Sequence, residues 1–257
     1  MKYILDVDAS KVIEAVRSTG VTITPAMMHY AHYLISNMKA IGTWSLCSAV
    51  YGFVGGTAGS HKFNWKDTRD LDAAFRLVFN GTVTHSSNGM QGDGSTGYAD
   101  TKFNPSLYAS LNSHHISIYV GNNVGTYSYD MGCYDGTYEN MIISRYGNDL
   151  AYQSINTNSA FVTAPNTDSR GYFMANRTAS NSSALYKNGI ILANPATPAS
   201  TSVPNFNYGI MCTNRAIPGG FTTRRMQLVT IGAGLTDTQA IQQSQIVTNA
   251  QNILNRA

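Results

Sequence analysis

Apolar positions along the 257-residue chain follow two periods, and the change between them divides the sequence into three parts. Near the start, "ASKVIEAVRSTG" sets Val12, Ile13 and Val16 on one helical face and ends at Gly20, which suits the left-handed backbone of a helix C-terminus. Thr24 and Pro25 then read as the N-cap and first position of a second helix. In it Met27, Met28, Ala31, Leu34, Ile35 and Met38 recur at spacings of three and four until Gly42 stops the run. An amphipathic stripe of this kind must be buried somewhere, and methionine surfaces adapt to varied partners. These six residues are therefore the candidates for attachment or oligomerisation.

From about Phe53 the period shortens to two. "HHISIYVGNN" places Ile116, Ile118 and Val120 on one face and Ser117 and Tyr119 on the other, the pattern of a half-buried strand. "ENMIISRYG" and "RGYFMANR" read as further strands. "ALYKNGIILAN" reads as a hairpin, because Asn188-Gly189 tolerates the positive φ of a type I′ turn. Roughly ten short strands at this spacing, with no helical period between them, predict an antiparallel sandwich. The stretches at 155–169 and 194–205 read as long loops. After a strand ending near Gly232, Thr236 and Gln239 form a capping box, Leu235 and Ala240 a hydrophobic staple, and Ala240, Val247, Ala250 and Leu254 one helical face. The expected organisation is a helical segment over 1–52, a mainly β sandwich over 53–232 and a C-terminal helix over 233–257.

Composition narrows the function classes. Charged residues make up 12% of the chain, about half the roughly 25% usual in soluble domains. Ser, Thr, Asn, Gly and Tyr fill the gap, as in proteins displayed on surfaces. The net charge is +3 and the longest basic run is the pair Arg224-Arg225, which argues against nucleic acid as a partner. Cys47, Cys133 and Cys212 are scattered and odd in number, so neither a disulfide framework nor a zinc site is expected. Asp6 and Asp8 come too early for a signal peptide. No apolar run reaches the ~18 residues of a membrane span. Synthesis in a cytosol, without membrane insertion, is the expectation.

Five motifs in order carry a family resemblance: Gly42-Thr43-Trp44 after the helical opening, "GDGSTGY" from Gly92 to Tyr98, "HISIY" from His115 to Tyr119, "YKNG" from Tyr186 to Gly189, and "IGAGL" from Ile231 to Leu235. In these the chain resembles the concanavalin A-like (laminin-G-like) sandwich proteins of tailed phages and prophages, over nearly its whole length. The resemblance implies a concanavalin A-like jelly roll flanked by helices. It also implies a virion structural or surface protein, made in the host cytoplasm, that decorates a head, tail or fibre. The implied partners are other virion proteins, further copies of the chain in a homo-oligomer, and host-surface carbohydrate. A soluble lectin-like protein and a divergent glycoside hydrolase or lyase are the alternatives.

The chemistry-bearing residues support binding rather than catalysis. Glycoside hydrolysis needs two carboxyls, yet the chain has only two glutamates, Glu14 and Glu139, and lacks the Glu-x-Asp-x-(x)-Glu strand of related glucanases. No catalytic residue, metal or cofactor is assigned. "GDGSTGYAD" lacks the lysine of a phosphate loop and the carboxylates of a calcium loop, and reads as a turn entering a strand. His29 and His32 have no nearby carboxylate or H-E-x-x-H pattern, and His114 and His115, neighbours on a strand, point to opposite faces and do not share one ion. The richest surface segment is "GTYSYDMGCYDGTYEN", in which Tyr127, Tyr129, Tyr134, Asp135 and Tyr138 are the ligand-binding candidates. Ordinary strand packing accounts for the same tyrosines. Trp44 is expected in the core by its place in the family, and Trp65 as a further ring available to a ligand.

Overall fold

A computed structural model describes residues 5–193 and 198–256. It opens with α1 (Val7–Ser18) and α2 (Pro25–Ala40), followed by one turn, α3 (Thr43–Leu46), and then β1 (Cys47–Tyr51) and α4 (Ala58–His61). The strands β2 (Val78–Asn80), β3 (Val83–Ser86), β4 (Gly89–Gly92) and β5 (Tyr98–Asp100) precede the turn α5 (Pro105–Tyr108). Then come β6 (His114–Val120), β7 (Met131–Tyr134), β8 (Glu139–Ile143), β9 (Leu150–Thr157) and β10 (Val162–Pro165). The chain continues through β11 (Gly171–Ala179), β12 (Ser182–Lys187), β13 (Ile190–Ala193), β14 (Gly209–Ile210) and β15 (Thr213–Asn214). It closes with β16 (Arg225–Gly232) and α6 (Asp237–Ile253).

Among the described residues two eight-stranded sheets face one another. The first runs β13-β12-β11-β6-β16-β4-β3, with β1 also on β16; the second runs β10-β9-β8-β7-β14-β5-β2, with β15 also on β7. All pairings are antiparallel except that of β15 with β7. The antiparallel sandwich expected from the period-two pattern is therefore present, with more and shorter strands than the pattern alone showed. Its inner layer joins Ile116, Ile118, Phe173 and Val229 of the first sheet to Met131, Ile142, Ala151 and Ile155 of the second.

The helices make a third layer. The local signals act where the sequence placed them. Thr24 accepts the Met27 N–H ahead of Pro25, Thr236 and Gln239 close a reciprocal capping box, and Asn188 and Gly189 turn the β12–β13 hairpin with φ of 49° and 80°. The helical layer covers the outer face of the first sheet, where Tyr119, Tyr172, Met174, Tyr186 and Leu228 pack against Val16, Leu34, Met38 and Val247. Several expectations change. First, β6 is buried on both faces. Its polar side sits under the helices in a hydrogen-bonded ladder: Gln243 Nε2 donates to Tyr172 Oη (2.8 Å), which donates to Ser117 Oγ (2.8 Å). Second, Met27, Ala31, Leu34, Ile35 and Met38 are buried within the chain itself, and Met28 alone of the six stays partly exposed, beside an apolar groove. Burying a Leu or Met stripe against the molecule's own sheet contributes about 1.5–3 kcal/mol per side chain, so intramolecular packing takes what was assigned to attachment. Third, the sandwich begins at Cys47 rather than 53, because β1 pairs with β16. The stretch read as a loop over 155–169 contains β10, paired with β9. In the other, residues 194–197 lie outside the described residues, and 198–205 contain no regular element. Trp44 and Trp65 are both buried, so the ligand role considered for Trp65 is not available. Among the described residues no helix is long and apolar enough to cross a membrane.

The "GDGSTGY" segment crosses from β4 in the first sheet to β5 in the second. Asp93 Oδ1 accepts the N–H groups of Ser95, Thr96 and Gly97 at 2.8–2.9 Å, and Oδ2 accepts both neighbouring hydroxyls at 2.8 Å. Those backbone bonds hold its carboxyl far below the usual carboxylate range. Its oxygens are thus occupied in closing the turn.

Candidate functional site

Helices cover the outer face of the first sheet and leave the outer face of the second without a helical cover. Strand alternation decides what that face presents. On β7, Met131 and Cys133 point inward, so Gly132 and Tyr134 point outward; on β8, Ile142 points inward, so Glu139, Met141 and Ile143 point outward. On β9, Ala151 and Ile155 belong to the inner layer, and Tyr152, opposite Ile143, faces out.

Four rings form a ladder on this face. Tyr127 meets Tyr146 edge-on at 4.9 Å, Tyr146 meets Tyr152 at 5.4 Å, and Tyr152 meets Phe161 at 6.1 Å. Each contact has the edge-to-face geometry favoured by the ring quadrupole. Tyr127 is 72% and Phe161 43% exposed. A slot of about 100 Å³ lies between Tyr129, Met141, Ile143, Tyr146, Tyr152 and Phe161. A wider hollow of about 510 Å³ opens beside it, walled by Tyr134, Asp135, Phe206, Arg215, Ile217 and Pro218. Ile217 is 81% exposed at its rim.

Glu139 lines neither depression; in strand register it falls between them, opposite Tyr134 of the hollow and two residues from Met141 of the slot. It is 5% exposed. Among the described residues no donor hydrogen-bonds to its carboxyl and no cation lies within 4 Å of it. Burial pushes its pKa up to about 7, against the opposing pull of the Arg215 guanidinium. Tyr129 is raised as well, by burial and then by the nearby Glu139 charge.

The five residues singled out from sequence divide. Tyr127, Tyr129 and Tyr134 are on this face, although Tyr127 and Tyr129 lie in the loop before β7 rather than on a strand. Asp135 lines the hollow, but its oxygens already accept the N–H groups of Thr137 (3.0 Å), Tyr138 (2.8 Å) and Asn205 (3.1 Å), so it chiefly holds the β7–β8 turn. The ring of Tyr138 lines neither depression. The histidines have other occupations. His32 Nδ1 accepts the Asp6 N–H (2.9 Å), and His29 packs edge-on against Tyr33. His114 and His115 point to opposite sides of β6, toward Tyr208 and Thr230. Among the described residues no three His, Cys, Asp or Glu side chains are grouped to hold a metal.

No family model matches the chain, and no curated protein matches it in sequence. Solved structures do match in shape. Domain 4 of a GH43 extracellular arabinanase from Geobacillus stearothermophilus, in complex with arabinotriose, superposes with a TM-score of 0.51 at 16% identity, covering 77% of this chain and 98% of that one. A mutant of Trypanosoma rangeli sialidase displaying trans-sialidase activity gives 0.52 at 11% identity, covering 90% of this chain and 40% of that one. At these identities the likeness is one of fold: the chain is a two-sheet sandwich of the architecture seen in those proteins.

Several residues of the face were not singled out in the sequence. Met141 and Ile143 were legible in principle, since "ENMIISRYG" alternates and puts them on the face of Glu139. Tyr146, Tyr152 and Phe161 carry no local mark and become neighbours only through the β8–β9–β10 pairings. Two glycines keep the rings seated. A Cβ on Gly220, which has φ of 65°, would lie 2.3 Å from Tyr129, and one on Gly147 would lie 2.6 Å from Tyr127.

Proposed function

We propose that the protein is a non-enzymatic carbohydrate-binding β-sandwich, displayed on a phage particle as a surface or adhesin component. The observation that carries the binding part is the aromatic ladder from Tyr127 to Phe161 on the outer sheet face that the helices leave open. Sugar rings offer apolar C–H faces and hydroxyl edges, and exposed aromatic rings flanked by polar groups complement both. The likeness in fold to a domain solved with arabinotriose supports the same reading.

Catalysis is not part of the proposal. Of the carboxyls near the face, Asp135 already takes three N–H donors and Asp149 pairs with Arg145 at 2.7 Å. Glu139 is left without the second free carboxyl that glycoside hydrolysis ordinarily requires. The particle and its partners, including further copies of the chain, rest on the five-motif resemblance. A low-charge, Ser/Thr/Asn-rich surface supports them.

A glycan array with the wild-type protein and Tyr152→Ala tests the binding part: discrete hits that the substitution removes are expected, and an array without hits would refute it. Mass spectrometry of purified particles tests the placement, with the chain expected in stoichiometric copies.

A further inference from the structure

The buried carboxyl on this face specifies the class of sugar. We infer that the site takes a neutral, hydroxyl-rich oligosaccharide laid across β7, β8 and β9, with Glu139 as the central acceptor of its hydroxyl hydrogens. The inference rests on the carbohydrate-binding reading above and deepens it.

Three observations lead there. The first is the unmatched acceptor. The Glu139 carboxyl, on a residue 5% exposed, has no protein donor among the described residues, and its oxygens are not among the fully buried unsatisfied atoms, so what little of it is open meets whatever occupies the face. A carboxylate with so little access to water is poorly solvated and gains from a hydrogen-bond donor brought to it. A ligand with O–H groups brings one; an apolar ligand does not.

The second observation is position. In strand register Glu139 falls between the Tyr134–Arg215 hollow and the Tyr129–Tyr152 slot. Neighbouring strands lie about 4.8 Å apart, so the face from β7 to β10 spans roughly 14 Å, the reach of a short oligosaccharide. Rings at the slot end pack on C–H faces while the carboxyl reads hydroxyls at the centre.

The third is charge. The groups around Glu139 are Tyr129 from the loop before β7, Cys133 and Tyr134 from β7, Asp135 from the β7–β8 turn, and Arg215 from the segment after β15. β9 brings Ser154 and Thr157, which stay neutral. Two carboxyls thus face one guanidinium, whose Nε already donates to Ile217 O at 3.1 Å. An acidic sugar would enter a site with no surplus of positive charge, whereas a neutral one meets no such repulsion.

The ionised carboxylate is the better acceptor, and its titration near pH 7 couples binding to proton release. Calorimetry decides the matter, using arabinotriose, maltotriose, xylotriose and 3′-sialyllactose with wild-type protein, Glu139→Gln and Tyr152→Ala at pH 6 and pH 8. Circular dichroism verifies that each variant is folded. The expected result is binding of at least one neutral trisaccharide, about tenfold tighter at pH 8 than at pH 6. In Glu139→Gln the affinity falls about tenfold or more at pH 8 and its pH dependence disappears. Neutral-sugar binding that Glu139→Gln leaves unchanged, or a preference for 3′-sialyllactose, overturns the inference and leaves the carbohydrate-binding reading standing. Heat from none of the four probes also overturns it, and the glycan array then decides the broader reading separately.

Discussion

Arg224 and Asp130 form an ion pair in which both side chains are completely buried. The guanidinium also donates to Val124 O (3.0 Å), Arg145 O (2.7 Å) and Ser128 O (2.8 Å), while the second Asp130 oxygen accepts the Ser144 N–H. One side chain thus ties the loop that carries Tyr127 and Tyr129 to the turn that carries Tyr146. Every lone pair and donor it uses is matched, as a buried pair requires. Its value here is to fix where the aromatic ladder starts.

Removing one partner of such a pair leaves an uncompensated buried charge, at a cost of about 3–5 kcal/mol. Arg224→Met should lower the urea midpoint accordingly. Arg224→Lys should recover only part of it, because an ammonium cannot reproduce the planar fork. Equal stability of Arg224→Met and wild type would show that the network is dispensable.

Acid should unfold the protein earlier than its carboxylates alone would dictate. His61 and His114 are held down to about 3 and His115 to about 4, each chiefly by burial. Their contacts use neutral rings: His61 Nε2 accepts the Gly56 N–H (3.2 Å) while Nδ1 meets His85 Nδ1 (3.0 Å), and His115 Nδ1 donates to Ala233 O (2.6 Å). With folded pKa values below the unfolded value of 6.5, their stability is present above pH 6.5 and is lost as pH falls toward 3–4. By pH 5 the three together remove on the order of 5 kcal/mol, comparable to the ~5–15 kcal/mol total of a typical domain. Urea titrations at pH 7 and pH 5 measure this, and a midpoint that does not move would contradict it.

Glu139 acts with the opposite sign. Its folded pKa of about 7 lies above the unfolded value of 4.5, so its contribution is complete below pH 4.5 and is lost as pH rises through 7. The difference corresponds to about 3 kcal/mol. Glu139→Gln should therefore be more stable than wild type at pH 8 by up to about that amount, with the advantage gone at pH 4.5. Thermal melts at the two pH values compare them directly. A carboxyl that costs the fold stability is the trade expected at functional positions.

How much of this was legible before the structure follows from the range of each interaction. Thr24-Pro25, Thr236 with Gln239, and Asn188-Gly189 act over a few residues, and all three did what their spacing implied. β6 showed its inner face through Ile116, Ile118 and Val120, but its outer face read as solvent because the cover, α6, lies far along the chain. The methionine stripe showed that α2 must be buried and not against what. At the site, the tyrosine cluster was visible as composition, whereas Tyr152 and Phe161 joined it only through sheet register. Glu139 looked isolated because nothing local shows that it faces Arg215 and stands opposite Tyr134.

The ladder itself can be tested without touching an aromatic residue. Gly147 has no left-handed backbone requirement, since its φ is outside the positive range, so alanine there introduces only a methyl group. That methyl would sit 2.6–2.9 Å from three atoms of the Tyr127 ring, below any real Cβ contact. The exposed Tyr127 ring must swing away and lose its edge-on contact with Tyr146, a contact worth about 0.5–1.5 kcal/mol. Gly147→Ala should therefore lower stability by about 1 kcal/mol or less. It should weaken binding of whichever saccharide the array identifies by up to about tenfold, the equivalent of about 1.4 kcal/mol. Tyr127→Ala should weaken it at least as much, and the double variant should add little to Tyr127→Ala, because both substitutions act on the same ring. Calorimetry on the three variants closes this cycle. Additive losses would mean that Gly147 acts elsewhere than on Tyr127, and unchanged affinity in all three would remove the exposed end of the ladder from the binding face.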